Sequence, residues 1–247
     1  MAHIVQISDT HLFGDKNATI NGFNSYSNLQ TIFNSISSLK EKPELIVVTG
    51  DLSQDCTAES YKHLYDFLLK SGIKYYLLPG NHDNVSIVNK VFNYKWAREN
   101  VDYSADYKGW LFYFLDTSVY PEAHGELTQY QLQKLEDTLN KNKSKPTLIF
   151  MHHHPLQISS WLDGMILLDF DKFNSVVKQN PQIKGVLFGH IHQIFESNIN
   201  GTFYGSAPST SYQILPKTAR FALDAVTQGY RLIELTTERF DSKVIRL

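Results

Sequence analysis

Five apolar runs in this sequence end in side chains that can bind a metal ion or transfer a proton. The runs lead into Asp9-x-His11, Gly50-Asp51, Gly80-Asn81-His82-Asp83, His152 and Gly189-His190-x-His192. Carboxylate, amide and imidazole groups without a thiolate suit Mn, Fe(II) or Zn rather than Cu(I), and they contain too much imidazole for Ca or Mg alone. The sequence therefore predicts a transition-metal site built from strand ends.

The number of candidate ligands indicates two ions. One ion takes about four to six ligands, whereas seven candidates are present, which fits two ions that share a carboxylate: Asp9, His11, Asp51, Asn81, His152, His190 and His192. Two ions about 3.5–4 Å apart can hold a bridging water and lower its pKa toward about 7, which provides hydroxide at neutral pH. A phosphoryl group is the natural target of such a pair.

The neighbours of Asn81 add a possible proton donor. His82 can donate or accept a proton, and Asp83 can orient the imidazole by hydrogen bonding. Each feature alone also has a structural interpretation, because single histidines at strand ends are usually hydrogen-bonded structural residues, and Asp9 and Asp51 suit turns. Seven of the ten histidines lie at strand ends, however, and this concentration favours one common site.

The scaffold must bring these strand ends to one edge. Apolar runs predict strands at 3–8, 45–49, 73–78, 110–115, 147–151 and 185–188. Helical spacing predicts a helix at 28–41 behind a Ser27 capping box, a helix ending near Gly72, and helices at 85–93, after Thr128 and at 170–180. We expect an irregular stretch before Gly109, an Asx turn at Asp116, and antiparallel strands after Gln193. Without a linker or repeat, 1–247 is predicted to be one domain.

Composition excludes several classes of partner. The 247 residues carry a formal net charge of −2, so a nucleic acid polymer or an anionic membrane surface is not an expected partner. The single cysteine, Cys56, has no partner for redox chemistry and is expected to be an inert thiol. The chain reads directly into a strand, without a secretory leader or an apolar run of about 18 residues. We therefore expect a cytoplasmic protein.

The five motifs, in this order, resemble those of the calcineurin-like metallophosphoesterases. The runs Gly50-to-Asp55, Met151-to-Pro155, Gly189-to-Gln193, Ser206-to-Thr210 and Gly229-Tyr230-Arg231 resemble, within that family, the bacterial class III 3′,5′-cyclic nucleotide phosphodiesterases. The resemblance implies a four-layer α/β/β/α sandwich with a mixed sheet core. It also implies that Asp9, His11 and His192 hold one metal, Asn81, His152 and His190 hold the other, and Asp51 bridges them.

The same resemblance implies a reaction. The enzyme would hydrolyse a 3′,5′-cyclic nucleotide, with cyclic AMP favoured, to the 5′-monophosphate by attack of a metal-bridging hydroxide. Substrate contacts would come from His11, Asp51, Asn81, His82 and His192; His82 would stabilise charge or protonate the leaving oxygen, with Asp83 setting its orientation. Fe(II) or Mn(II) are the favoured metals and Zn is possible. His153 and His154 have no metal role in the family pattern.

The core motifs do not exclude other activities. They include hydrolysis of another phosphodiester, of a phosphomonoester or of a lipid-linked pyrophosphate, and a metal-containing scaffold without catalysis, which the full set of ligands disfavours. A nucleotide site also needs an aromatic or apolar wall for the base. Loop residues near the strand ends can supply it: Phe13, Phe23, Trp161, Leu162 and Tyr212.

Overall fold

The computed structural model describes residues 1–94 and 102–247 of the chain. Its strands are β1 Ala2–Ile7, β2 Leu45–Thr49, β3 Lys74–Leu78, β4 Tyr103–Tyr107, β5 Trp110–Phe114, β6 Thr147–Phe150, β7 Ile183–Phe188, β8 Glu196–Ile199, β9 Thr202–Ser206, β10 Gly229–Leu235 and β11 Phe240–Arg246. Its helices are α1 Ser25–Ser38, α2 Ala58–Ser71, α3 Val85–Phe92, α4 Gln129–Lys141 and α5 Phe170–Gln179, with a short 3-10 helix at Trp161–Met165.

The strands form two mixed sheets. The first has the order β11-β10-β1-β2-β3, in which β1, β2 and β3 are parallel and β10 runs antiparallel to β1. The second has the order β4-β5-β6-β7-β9-β8, in which β5, β6, β7 and β9 are parallel. Parallel strands joined by helices place their carboxyl ends along one edge of each sheet.

The two sheets pack face to face, and each carries helices on its outer face. Alternate residues of a strand point to opposite faces, so Ile4 and Val47 lie in the core between the sheets, whereas Val5 and Ile46 lie beneath α1 and α2. In the second sheet Ile149 faces α4 and α5. This arrangement confirms the predicted four-layer α/β/β/α fold with mixed sheets, and it explains why strands buried on both faces read as continuous apolar runs.

The predicted helix boundaries are partly confirmed. Gly72 ends α2 in the left-handed conformation, with φ of 66°, and Thr128 forms a capping box with Gln131. The predicted start of α1 is wrong: Asn24 is the N-cap, and its side chain accepts a hydrogen bond from the Ser27 amide at 2.7 Å. Asn24 and Ser27 are both good caps, and the local pattern does not distinguish them.

Two predictions about the less regular parts are corrected. The stretch before Gly109 contains β4, which pairs with β5, while residues 95–101 of that stretch lie outside the described residues. The segment after Gln193 is only partly antiparallel, because β9 pairs parallel with β7. Within residues 1–94 and 102–247, no helix combines the length and the hydropathy that a membrane span requires.

Candidate metal centre

The predicted site residues come together at the carboxyl edge of both sheets. Asp9 and His11 follow β1, Asp51 follows β2, and Asn81, His82 and Asp83 follow β3 in the first sheet. His152 follows β6 and the pair His190 and His192 follows β7 in the second sheet. The side chains are buried except for Asn81 and His82, which are half-buried. The site therefore straddles the two sheets.

Five of these residues have left-handed backbone conformations. The φ angles are 54° for Asp9, 43° for His11, 52° for Asp51, 67° for His190 and 49° for His192. Positive φ is uncommon for residues with a side chain, and it costs roughly 1–3 kcal/mol where the surrounding structure enforces it. The conformation turns each side chain off the strand direction and into the shared edge. Such a concentration of unfavourable conformations is typical of a functional site.

Two glycines let the loops approach one another closely. A Cβ atom on Gly80 would lie 2.1 Å from Asp51 Oδ1, and a Cβ atom on Gly189 would lie 1.9 Å from Ser8 Oγ. Any side chain at either position would push the strand ends apart. This lack of space explains why glycine precedes Asn81 and His190 in their motifs.

The first donor group consists of Asp9, His11, Asp51 and His192, whose candidate ligand atoms lie within 4.8 Å of one another. His11 Nδ1 donates to Gln54 Oε1 at 2.8 Å, and His192 Nδ1 donates to the Tyr212 carbonyl at 2.9 Å. The two Nε2 atoms lie 3.0 Å apart, and each carries a lone pair when its ring is neutral with the proton on Nδ1. Opposed lone pairs at this distance are the arrangement that a shared cation would stabilise.

Asp51 belongs to the first donor group and also faces a second one. Its Oδ2 is 3.5 Å from His11 Nε2, and its Oδ1 is 3.4 Å from His152 Nε2. Asn81 Oδ1 lies 3.1 Å from both His152 Nε2 and His190 Nδ1. One carboxylate thus faces two sets of donors, one oxygen to each.

The second donor group consists of His152, His153 and His190, whose candidate ligand atoms also lie within 4.8 Å of one another. His153 has no predicted metal role, but it is fully buried, its Nδ1 contacts Thr117 Oγ1 at 2.8 Å and its ring centroid is 4.6 Å from that of His190. His154 lies behind His190, with ring centroids 5.6 Å apart and its Nε2 3.6 Å from Asp163 Oδ1. His153 is thus a candidate donor although no metal role was predicted for it, and His154 packs against the His190 ring.

The electrostatics of the site favour positive charge between the carboxylates. Burial opposes ionisation of Asp51, but His152 and His11 hold its pKa well below the usual range. Burial likewise opposes charge on His152, but Asp51 and Asp9 outweigh it and raise the pKa of His152 to about 9. Burial lowers the pKa of His11 to about 4, so that ring stays neutral and able to bind a cation.

The structure corrects the predicted role of Asp83. Its carboxylate accepts hydrogen bonds from the backbone amides of Gly80 at 2.8 Å, Leu52 at 3.0 Å and Ser53 at 3.1 Å. Among the described residues, no hydrogen bond joins it to the His82 ring, so the prediction that Asp83 orients this ring by direct hydrogen bonding is wrong. Both oxygens are occupied by amides, and Asp83 instead ties the loop after β2 to the loop after β3.

His82 lies on the open side of the site. Its backbone amide donates to Asp51 Oδ1 at 3.0 Å, and its ring packs edge-on against His11 with centroids 5.0 Å apart. The half-buried ring is therefore next to the first donor group and still reachable from solvent.

Three residues outside the predicted ligand set position the donors. Gln54 and the Tyr212 carbonyl fix the tautomers of His11 and His192, and Thr117 holds His153. The one sequence signal for Gln54 was its place in the Gly50-to-Asp55 run. The contact of the Tyr212 carbonyl has no sequence signal, because every residue has a backbone carbonyl. The expected Asx turn at Asp116 is confirmed, since its Oδ1 accepts from the Ser118 amide at 2.9 Å.

The residues fit a pair of divalent cations. His190 Nε2 and His153 Nε2 are buried and without a hydrogen-bond partner among the described residues, the Nε2 atoms of His11 and His192 lie 3.0 Å apart, and one carboxylate faces both groups. Oxygen and nitrogen donors at an edge shared by two sheets, in an α/β/β/α sandwich, define a metallophosphoesterase fold with a candidate two-metal site.

The chain belongs to the calcineurin-like phosphoesterase family, whose family pattern matches residues 2–194. It is 34 % identical to a 3′,5′-cyclic-nucleotide phosphodiesterase of Nostoc sp., over 94 % of this chain and 87 % of the relative. It is also 34 % identical to the 3′,5′-cyclic adenosine monophosphate phosphodiesterase CpdA of Escherichia coli, over 94 % of this chain and 84 % of the relative. The predicted family membership is confirmed.

Solved structures show the same fold at low sequence identity. A dimetal phosphatase from Danio rerio superimposes with a TM-score of 0.70 at 14 % identity, covering 99 % of this chain and 98 % of the other. GAP50, the anchor in the inner membrane complex of Plasmodium, superimposes with a TM-score of 0.67 at 14 % identity, covering 99 % and 84 %. At this identity the likeness establishes the architecture of the chain alone.

Proposed function

We propose that this chain is a dinuclear-metal phosphodiesterase that hydrolyses 3′,5′-cyclic nucleotides, with cyclic AMP favoured, to 5′-monophosphates. The observation that carries the proposal is the position of Asp51, with one oxygen toward each of two donor groups. The cyclic nucleotide follows from the relatives in Nostoc and Escherichia coli, which match this chain over most of both lengths. The whole chain, 1–247, is proposed to act as one domain in the cytoplasm.

The proposed ligands divide between the two ions. Asp9, His11 and His192 would hold the first ion, and Asn81, His152 and His190 the second, with Asp51 shared. Fe(II) or Mn(II) are the favoured ions and Zn is possible, because the set mixes imidazole with oxygen ligands and contains no thiolate. When bound, such a pair supplies Lewis acidity that makes water a stronger acid and neutralises charge on phosphoryl oxygens.

The protein groups around the ions have distinct tasks. Gln54 and the Tyr212 carbonyl keep the Nε2 atoms of His11 and His192 unprotonated, so both rings are ready to bind without losing a proton. His82, next to His11 and reachable from solvent, is placed to donate a hydrogen bond to the phosphoryl group or a proton to the departing 3′-oxygen. Asp83 keeps the loops that carry Asp51 and Asn81 together.

Other phosphoesters are the alternative substrates, and a scaffold without catalysis is the alternative class. A lipid-linked pyrophosphate would need a long apolar groove with basic residues at its mouth, and a scaffold would not require a filled set of donors. Here all seven proposed ligands are present and adjacent, which favours catalysis.

The test is a substrate panel measured on protein loaded with Mn(II), Fe(II) or Zn(II). The panel contains 3′,5′-cyclic AMP, 3′,5′-cyclic GMP, 5′-AMP and bis(p-nitrophenyl) phosphate. We expect the highest kcat/KM on cyclic AMP and little turnover of 5′-AMP. Preference for the monophosphate, or turnover of the aryl diester without any cyclic nucleotide, would contradict the proposal.

Metal content provides an independent check. His152→Ala should lose one ion per chain by elemental analysis. His3→Ala is the matched control, because His3 lies at the start of β1, at the opposite edge of the sheet, and its loss should leave two ions. Equal metal content in both variants would remove His152 from the ligand set.

A further inference from the structure

The segment 207–214 forms part of the site although it follows the residues that match the family pattern. Its Thr210 amide donates to the Ser8 carbonyl at 3.0 Å, and Ser209 Oγ donates to the Asp9 carbonyl at 2.8 Å. At the other end, the Ile214 amide donates to the His192 carbonyl at 3.0 Å. The segment is thus fixed to two of the three loops that carry the first donor group, the loop after β1 and the loop after β7.

Tyr212 is the residue that this segment places at the site. Its carbonyl holds His192, while its ring lies 4.5 Å from the His192 ring and 5.8 Å from the His11 ring, measured between centroids. The neighbouring residues Ser211 and Gln213 are buried, but Tyr212 is only partly buried. The side chain therefore packs against the two imidazoles and remains partly accessible to solvent.

The Tyr212 ring and His82 flank His11. The ring centroid of His11 is 5.0 Å from that of His82 and 5.8 Å from that of Tyr212. Among the described residues, the Tyr212 hydroxyl makes no hydrogen bond. The position of the ring is therefore set by its packing against His192 and by the hydrogen bond of its backbone carbonyl. A phosphoryl group bound at the donor groups would have a possible proton donor near one side and a flat, partly apolar surface near another.

The other candidate walls are engaged elsewhere or make no such contact. The Trp161 ring packs edge-on against Phe221 at 6.0 Å, and Leu162 is buried in the core beneath the second sheet. No ring contact between Phe13 or Phe23 and the site imidazoles is found in the described part of the chain. Tyr212 is thus the predicted wall residue whose ring contacts the proposed ligands.

We propose that Tyr212 determines substrate specificity by packing its ring against the nucleoside part of the cyclic nucleotide. This inference rests on the proposed function and adds the residue that separates a nucleotide from a bare phosphodiester. Stacking on an aromatic ring tolerates any base, because every base presents a flat face. Selection through Tyr212 would therefore favour nucleotides as a class.

The test compares cyclic AMP with the 3′,5′-cyclic phosphate of 1-deoxyribose, which has the same reacting group and no base. In Tyr212→Leu, the ratio of kcat/KM for cyclic AMP to that for the base-free compound should fall about 5- to 150-fold, the usual contribution of stacking on an aromatic ring. Most of the fall should appear in KM. Tyr212→Phe keeps the ring and should keep the ratio within about 3-fold of the unaltered chain.

Two controls separate this role from others. Tyr130→Leu removes an exposed tyrosine from α4 and should leave the ratio unchanged. Metal content of Tyr212→Leu should remain at two ions, because the main-chain carbonyl that holds His192 is retained. An unchanged ratio in Tyr212→Leu, or a loss of metal that lowers both substrates equally, would overturn the inference while the unaltered chain still hydrolyses cyclic AMP. If the unaltered chain hydrolyses neither cyclic compound, the proposed function itself fails and the inference fails with it.

Discussion

Removal of the Asp83 carboxylate should unfold the site loops rather than disable a catalytic group. In Asp83→Ala, the buried amides of Gly80, Leu52 and Ser53 lose their acceptor. Each unsatisfied buried amide costs about 1–3 kcal/mol, but water can enter and the costs are not additive, so we expect a loss of about 3–5 kcal/mol. For a chain of this size, 1 kcal/mol corresponds to about 2–4 °C, so Tm should fall by about 6–20 °C.

The assay is thermal denaturation of the metal-free protein, followed by circular dichroism. Asp66→Ala is the matched control, because this exposed carboxylate pairs with Lys62 on the surface of α2 and should change Tm by no more than about 2 °C. Asp83→Asn should give an intermediate loss, because it retains one acceptor oxygen but turns an amide group toward N–H donors.

A role for Asp83 in orienting His82 gives the opposite result. In that case Asp83→Ala would leave Tm within about 2 °C of the unaltered chain, and it would lower turnover no further in a His82→Ala background. Either observation would refute the structural role that the three amide hydrogen bonds indicate.

Three further predictions concern Asp51, His82 and the buried carboxyl of Asp116. Asp51→Asn should bind one ion or fewer and lose turnover, because a neutral amide cannot balance two dications; two ions with normal activity would remove Asp51 from its shared position. His82→Ala should keep both ions and slow cyclic AMP hydrolysis by about 10²–10⁴, with a smaller loss on an activated aryl ester if His82 supplies a proton. Burial raises the pKa of Asp116 to about 7, so its neutral form stabilises the fold and this contribution declines as pH rises from about 4 to 7. The Tm of metal-free Asp116→Asn relative to the unaltered chain should therefore increase between pH 5 and pH 8, and a constant difference would contradict that shift.

The strands and the donor positions were predictable because their signals are local. A parallel strand such as β2 is buried on both faces and reads as a short apolar run, and the residue after it is polar because it leaves the sheet. The recurrence of this pattern at Asp9, Asp51, Asn81 and His190 identified the edge. The family resemblance then supplied the layers of the fold, which the structure confirms.

Contacts between distant loops were not predictable from local pattern. Asp83 and Leu52 are 31 residues apart, and nothing near Asp83 indicates that its partners are amides rather than the adjacent His82. The same holds for the Tyr212 carbonyl, which contacts His192 from a segment without regular structure. The parallel pairing of β9 with β7 was missed because a short alternating run fits either strand direction.

The division of the candidate site between two sheets has a consequence for when, during synthesis, its donor groups become complete. Asp9, His11, Asp51 and Asn81 leave the ribosome well before His152, His190 and His192, and Tyr212 follows last. β1 also pairs antiparallel with β10, and this pairing forms only after the last part of the chain has been made. A chain made at about 5–20 residues per second therefore spends several seconds with neither donor group complete. A pair of ions that needs both donor groups would therefore bind the finished chain rather than the growing one.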